Sequence, residues 1–347
     1  MSEENDVSNF WRSHNFRLEP WGNDYEPPIQ ISEELAPSES DVELTVEPTD
    51  DWESFEAQPP LSLPNQLIFI DGRRRLDAAI VGSNCNTIIY GVFGTIAVGA
   101  VVVDRTIPKA SYLLEPEIEI QRVVGFGGKQ ETVDTPIPCP LGSKSKLFYE
   151  AFNDKFDNTP AARGAIVQTA MLKAEEELVG KLDIKDADTL VIRDGSLRNE
   201  SPVFTLGYIK TMHRQYLPEK YAALLWKLLP GQRTPIFKIK LQNRSLYSWY
   251  LKSGDSQHLP QHLGYHDLYG IVRLELSSEI PLEKAKEIAN QTCHLIPYYA
   301  SHPSRDPRAP QNLAPVGALE RELGRRMGDA TLIKRRLQNF LASFGKN

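Results

Sequence analysis

Leu67-Ile68-Phe69-Ile70-Asp71-Gly72 and, much later, Leu190-Val191-Ile192-Arg193-Asp194-Gly195-Ser196-Leu197 decide how this chain reads. Each is a short apolar run that stops on Asp-Gly. Apolar runs bounded by turn residues read as strands, and a strand end is where a buried sheet delivers a side chain to a site. Two carboxylates delivered this way can hold divalent cations, which take oxygen ligands. The stretch before the second strand adds Glu175, Glu176 and Glu177. Asp, Glu and Asp together are the donor set of metal-assisted phosphodiester hydrolysis.

That intervening stretch reads as an amphipathic helix. Thr159 suits an N-cap and Pro160 a first helical position. Val167, Met171, Ala174, Leu178 and Leu182 then recur at helical spacing. Glu175, four after Met171 and three before Leu178, sits beside the buried face. Glu176 points largely away, and Glu177 lies on the other flank. A carboxylate at the edge of an apolar stripe needs a partner, because burying an unpaired charge is costly. A metal ion is one such partner; an Arg or Lys is the usual one.

Working outward, Asp77–Val81, Thr87–Phe93 and Thr95–Val103 read as a meander. Gly125-Phe126-Gly127-Gly128 lacks a following Gly-Lys-Ser/Thr, so it is a turn or hairpin and not a phosphate loop. Beyond Asp194 come a strand at Val203–Lys210, a helix at Tyr221–Leu229, and paired strands at Thr234–Leu241 and Leu246–Lys252. A strand at Leu268–Leu276 and a helix at Leu282–Gln291 follow. A Pro-rich stretch, Pro297–Pro315, precedes a helical region from Val316 to Phe344. Tyr247, Trp249 and Tyr250 can stack on unpaired bases or pack in the core.

The 347 residues are long enough for a full core and contain no run of about 18 apolar residues, so no membrane helix is expected. The acidic N-terminus lacks the apolar core of a secretory signal, and a cytoplasmic location is expected. Cys85, Cys139 and Cys293 form no Cys-x-x-Cys pair, which suits reduced thiols. His258, His262 and His266 have metal-ligand spacing, but Pro260 and Gly264 break any helix there, leaving loop histidines. Gly-x-Ser-x-Gly, a Walker loop and His-Glu-x-x-His are all missing, so acyl transfer and motor ATPase chemistry lack support.

Charge is uneven. Residues 1–60 hold sixteen Asp/Glu against two Arg, a net of -14 in a chain of net -7, so the body is +7. The leader, rich in Glu, Asp, Pro and Ser, is expected to be mostly disordered. Trp11, Trp21, Trp52 and Phe55 can pin parts of it to the body, and its acidity can mask a basic groove. A basic body suits a polyanion.

With these landmarks placed, the chain resembles the NurA family of DNA-repair nucleases, in its bacterial branch. The matching stretches are FIDGRRR at 69–75, the acidic helix at 166–181, VIRDGSL at 191–197, GYIKT at 207–211 and DPRAPQNLAPVGALERELGRRMGD at 306–329. The resemblance covers about residues 61–345, one nuclease domain following the leader. It implies an α/β, ribonuclease-H-like fold: a mixed sheet flanked by helices, whose first strand and a later parallel strand carry carboxylates to one edge. It implies manganese- or magnesium-dependent DNA hydrolysis, by 5′-to-3′ exonuclease and single-strand endonuclease action, in end processing of double-strand breaks. It also implies a homodimer that works with HerA, a hexameric DNA-translocating ATPase.

The family's first Asp lands on Asp71, its second on Asp194, and its helix Glu among Glu175, Glu176 and Glu177, of which the apolar stripe favours Glu175. The family often places a His or another polar ligand in the last helical region, and this chain has no His after His302. Glu320 is the candidate fourth ligand, with Asp329 and Asp306 behind it. Arg73, Arg74, Arg75 and Lys210 are candidate phosphate contacts. So are Arg325 and Arg326, in a C-terminal region made basic also by Arg321, Lys334, Arg335 and Arg336. For the arginines a solvated surface is the alternative. The missing His leaves a second reading, a non-catalytic DNA-binding or scaffold subunit; RNA as substrate is a third.

Overall fold

A computed structural model of the chain describes residues 2–18, 41–47, 52–57, 62–84, 87–128, 131–139, 146–182, 184, 188–197, 204–211, 216–241, 244–254, 266–302 and 309–344. The leader supplies helix α1 (Ser2–Ser13) and three two-residue strands, β1 (Arg17–Leu18), β2 (Val42–Glu43) and β3 (Phe55–Glu56). The body opens with a long hairpin, β4 (Gln66–Asn84) and β5 (Thr87–Asp104). Then come β6 (Ala110–Leu113), β7 (Glu119–Phe126), β8 (Thr135–Pro138), β9 (Lys146–Ala151) and helix α2 (Ala162–Lys181). Strands β10 (Thr189–Asp194) and β11 (Thr205–Ile209), helix α3 (Glu219–Ala222), and strands β12 (Gln232–Arg233), β13 (Phe237–Lys240), β14 (Ser245–Lys252) and β15 (Ile271–Ser277) follow. The chain closes with α4 (Leu282–Tyr299), α5 (Ala314–Arg326) and α6 (Ala330–Ser343).

These strands form one mixed sheet in the order β2-β13-β14-β15-β11-β10-β4-β5-β7-β9-β8. Most neighbours are antiparallel; β4, β10 and β11 run parallel to one another, as do β7 and β9. Parallel neighbours need a crossover connection, and α2 lies in the one between β4 and β10. Alternation along the central strands sorts their side chains onto two faces. Leu67, Phe69, Leu190 and Ile192 pack with Leu319 and Leu323 of α5 and with α4. Ile68, Ile70 and Val191 pack with Ile166, Val167, Met171 and Leu178 of α2. Among the described residues no helix is long and apolar enough to cross a membrane.

Several sequence expectations are revised. The first strand does not end at Asp71 but runs 19 residues, and Asp71 lies within it. The charges that mimicked a turn are absorbed on both faces: Arg74 Nε donates to Gln168 Oε1 of α2 at 2.7 Å, and Arg75 Nη1 to the Gly328 carbonyl beyond α5 at 2.8 Å. A bulge between Leu76 and Ala78 keeps the hairpin in register. Its extra residue, Asp77, is buried against Arg75, Tyr149 and Thr95. Helix α2 begins two residues past Pro160, on Ala161 and without a side-chain cap. The expected helix at 221–229 is one short α-helical turn and a 3-10 turn, Leu225–Lys227.

Where the leader is described it is tied to the body, as its aromatic residues allow. Trp11 is fully buried against Phe16, Phe93, Phe126 and Phe340. Glu47 grips the buried Arg233 through two contacts, 2.8 and 2.9 Å, and accepts from the Ile236 backbone N–H. These fully satisfied bonds to a buried charge tie a nominally solvated segment into the core. Trp21 lies outside the described residues.

Tyr247, Trp249 and Tyr250 are buried, and Trp249 Nε1 donates to Thr292 Oγ1, so they are core residues. Cys293 is buried and Cys139 half-buried, both as free thiols. Cys85, His258, His262 and Asp306 lie outside the described residues, while His266 is exposed.

Candidate metal centre

The two Asp-Gly signals meet because of register. Strand β10 runs beside β4 with Arg193 opposite Ile70, so one residue further Asp194 comes level with Asp71. Both belong to the face that carries Leu67, Phe69, Leu190 and Ile192, the face covered by α5. Strand β10 then stops while β4 continues to Asn84, which leaves a notch in the sheet at the two carboxylates. From above the notch α5 lowers Glu320. One oxygen each from Asp71, Asp194 and Glu320 lies within 4.8 Å of the other two. Asp71 is only 6% exposed, and its Oδ2 is buried without a hydrogen-bond partner among the described residues. Burial, then the charges of Asp194 and Glu175, push the Asp71 pKa well above the ordinary carboxylate range; Lys210 pulls the other way.

Local sequence explains the delivery of Asp194. Gly195 has a φ of +102°, a conformation that L side chains rarely adopt, so the chain can turn sharply after the strand. The turn is held from β15: Glu275 Oε2 accepts from Ser196 Oγ at 2.8 Å and from the Leu197 N–H at 3.2 Å. Arg273 neutralises Glu275 from the same strand. Lys210, just past β11, places Nζ 2.5 Å from Asp194 Oδ2. Burial disfavours the Lys210 ammonium, but Asp194 together with Asp71 and Glu320 outweighs it, and the net shift is upward. Gln311, in the Pro-rich stretch, donates to the carbonyls of Lys210 and Ile271 and so stitches this end of the sheet to the approach of α5.

Glu175 approaches the notch from the opposite face. Its Oε1 lies 2.6 Å from where a Cβ on Gly72 would stand, so the missing side chain makes the approach possible. It is not one of the three carboxylates that converge. Its Oε2 accepts from Arg193, which is 1% exposed, at 3.1 Å. Of the two partners open to a carboxylate beside the apolar stripe, arginine is present here. Burial raises the Glu175 pKa to about 7, against the pull of Arg193. Glu176 lies 3.7 Å from Arg193 Nη1.

The basic residues separate by role. Arg73 is exposed and sits over the notch, with Nη1 donating to the Glu320 carbonyl at 3.1 Å. Arg74 and Arg75 anchor α2 and the end of α5, as described above. Arg325 is paired with Glu322, and Arg326 with Glu322 and Glu115. These two arginines therefore present less free charge than the sequence implied. Asp329 caps α6 by accepting from the Leu332 N–H, leaving Glu320 as the described acid of that region that reaches the centre.

Sequence reasoning missed Glu275, Gln311 and Arg193. Only Arg193 carried a local signal, as a lone charge inside an apolar strand. No protein-family profile matches this chain, and no curated protein is significantly similar to it.

Proposed function

We propose that this protein is a metal-dependent deoxyribonuclease whose centre is Asp71, Asp194 and Glu320, flanked by Glu175. One observation carries the reading. A buried carboxylate oxygen of Asp71 has no hydrogen-bond partner among the described residues and shares its notch with two further carboxylates. Such an arrangement is costly unless a cation enters it. An all-carboxylate donor set suits Mn2+ or Mg2+. When bound, the ion supplies an activated water and offsets charge on the phosphate.

The chain's own residues do the rest. Asp71, Asp194 and Glu320 hold the ion. Glu275 fixes the Asp194 turn. Arg73, exposed beside Glu320, takes a backbone phosphate and sets the strand's position. The first body strand lies parallel to a later one, each delivering an Asp to one site. This supports the ribonuclease-H-like reading of the fold and the resemblance to NurA nucleases. By that resemblance the working form is a cytoplasmic homodimer that processes DNA ends with a HerA-type ATPase. The scaffold alternative drew its weight from the missing C-terminal His; Glu320 beside Asp71 and Asp194 favours the enzyme.

The test is cleavage of end-labelled single-stranded and duplex DNA, with matched RNA, in Mn2+, Mg2+ and chelator. Cutting of DNA in metal, lost in chelator and in Asp71→Ala or Asp194→Ala, is expected. Binding without cutting in any metal would instead favour the scaffold.

A further inference from the structure

Phosphodiester hydrolysis places charge at two points, the attacking water and the leaving oxygen, and many centres answer with two ions about 3.5–4 Å apart that clamp both. We propose that in this chain Lys210 is the second cation: each chain binds one divalent ion, and the Lys210 ammonium contacts the phosphodiester being cut. This rests on the metal centre proposed above.

Asp194 is level with Tyr208 on the neighbouring parallel strand β11. Leu206 and Tyr208 belong to the same core layer as Leu190 and Ile192. Lys210, two residues past Tyr208, therefore emerges on the face that carries Asp71 and Asp194. A lysine at a sheet margin ordinarily extends its stem and keeps the ammonium in water. Here the side chain is 14% exposed and its Nζ is 2.5 Å from Asp194 Oδ2. Its backbone is held as well, because Gln311 Nε2 donates to the Lys210 carbonyl at 3.1 Å and to the Ile271 carbonyl at 3.0 Å. The ammonium is thus a fixed part of the acidic notch.

Two of the carboxylate oxygens around the notch are already held by the chain's own cations. Asp194 Oδ2 belongs to Lys210. Glu175 Oε2 belongs to Arg193, on the far face of the sheet. Among the described residues Asp71 Oδ2 is buried with no hydrogen-bond partner, and one ion can claim it. Three converging carboxylates with one built-in ammonium form a one-ion centre. During hydrolysis the water oxygen bonds to phosphorus and the bond from phosphorus to the leaving oxygen breaks. The water's proton ends on the leaving oxygen. Lys210 lends charge to the phosphate and neither gains nor loses a proton over the cycle.

The test combines Mn2+ titration of the full chain by calorimetry, with free Mn2+ counted by electron paramagnetic resonance, and cleavage of labelled DNA. It compares wild type, Lys210→Met and Lys210→Arg. One ion per wild-type chain is expected. Lys210→Met should keep an ion and bind DNA in chelator, yet cut about 100-fold or more slowly, the scale of losing one charge-stabilising group. Lys210→Arg should recover at least about tenfold of that loss, which a merely structural role would not give. Two ions per wild-type chain, or Lys210→Met cutting within about threefold of wild type, overturns the proposal while leaving the metal centre standing. No Mn2+ binding to wild type at all would remove the centre itself, and this inference with it.

Discussion

Replacing Asp71 with Asn should stabilise the metal-free protein. The carboxylates of Asp71, Asp194 and Glu320 approach within 4.8 Å of one another. At that range two like charges in an effective dielectric of 20 repel by about 3 kcal/mol. Asp71 faces two such neighbours, is buried, and receives partial relief from Lys210. The net gain on removing its charge is therefore about 1–3 kcal/mol at high pH. The sign follows from the raised pKa. A group whose folded pKa lies above its unfolded value stabilises fully below the unfolded value, and that contribution is lost as pH rises through the folded value.

In chelator, wild type should thus lose stability as pH rises from 5 to 9, and Asp71→Asn should lose less. Urea unfolding at both pH values reads this as a midpoint difference that widens with pH. Saturating Mn2+ reverses the order, because a ligand at about 100 times its Kd stabilises the wild type by about 2.7 kcal/mol. A variant less stable than wild type at pH 9 in chelator would refute the reasoning, since Asp71 would then be making favourable contacts instead of enduring repulsion.

Three further outcomes are expected. Glu275→Leu strands the buried Arg273 and frees the Ser196–Leu197 turn; it should cost about 3–5 kcal/mol in urea unfolding and weaken Mn2+ binding. Gly72→Ala drives a Cβ into Glu175 Oε1 and Met171, with Cγ of Met171 only 2.7 Å from the ideal position; overpacking of this kind should cost about 1–3 kcal/mol, with Mn2+ affinity falling in calorimetry. Glu47→Ala leaves the buried Arg233 without its counter-charge, held only by Asn290 and the Thr234 carbonyl; stability should fall by about 3–5 kcal/mol, and limited proteolysis should cut the leader faster than in wild type.

Much of the centre was legible in the sequence because its two anchors are local events. An apolar run that meets Asp-Gly marks a carboxylate wherever the partner strand lies, and both Asp71 and Asp194 could be named that way, although the Asp71 strand runs on to Asn84. Glu320 was named only through the family resemblance, as the first of three acids near the expected C-terminal ligand. The continuation of β4 was hidden because Gly72-Arg73-Arg74-Arg75 has no apolar alternation. Those arginines are satisfied by α2 and by the end of α5, which no local pattern reveals. The partners that tie the leader down were hidden for the same reason. The leader's composition is that of a solvated segment, yet Trp11 meets Phe340, and Glu47 meets Arg233, across distances in sequence that periodicity cannot see. Glu275 and Gln311 act through the residues that touch the site, so neither carries a motif of its own.

The central claim is that Asp71, Asp194 and Glu320 together hold a divalent cation. The most direct measurement is an anomalous difference map from crystals grown with Mn2+. The account predicts one strong peak bonded to all three carboxylates, including Asp71 Oδ2, with Lys210 beside it. A map with no peak in the notch at saturating Mn2+, and Asp71 Oδ2 instead hydrogen-bonded to a neighbouring side chain, would contradict it.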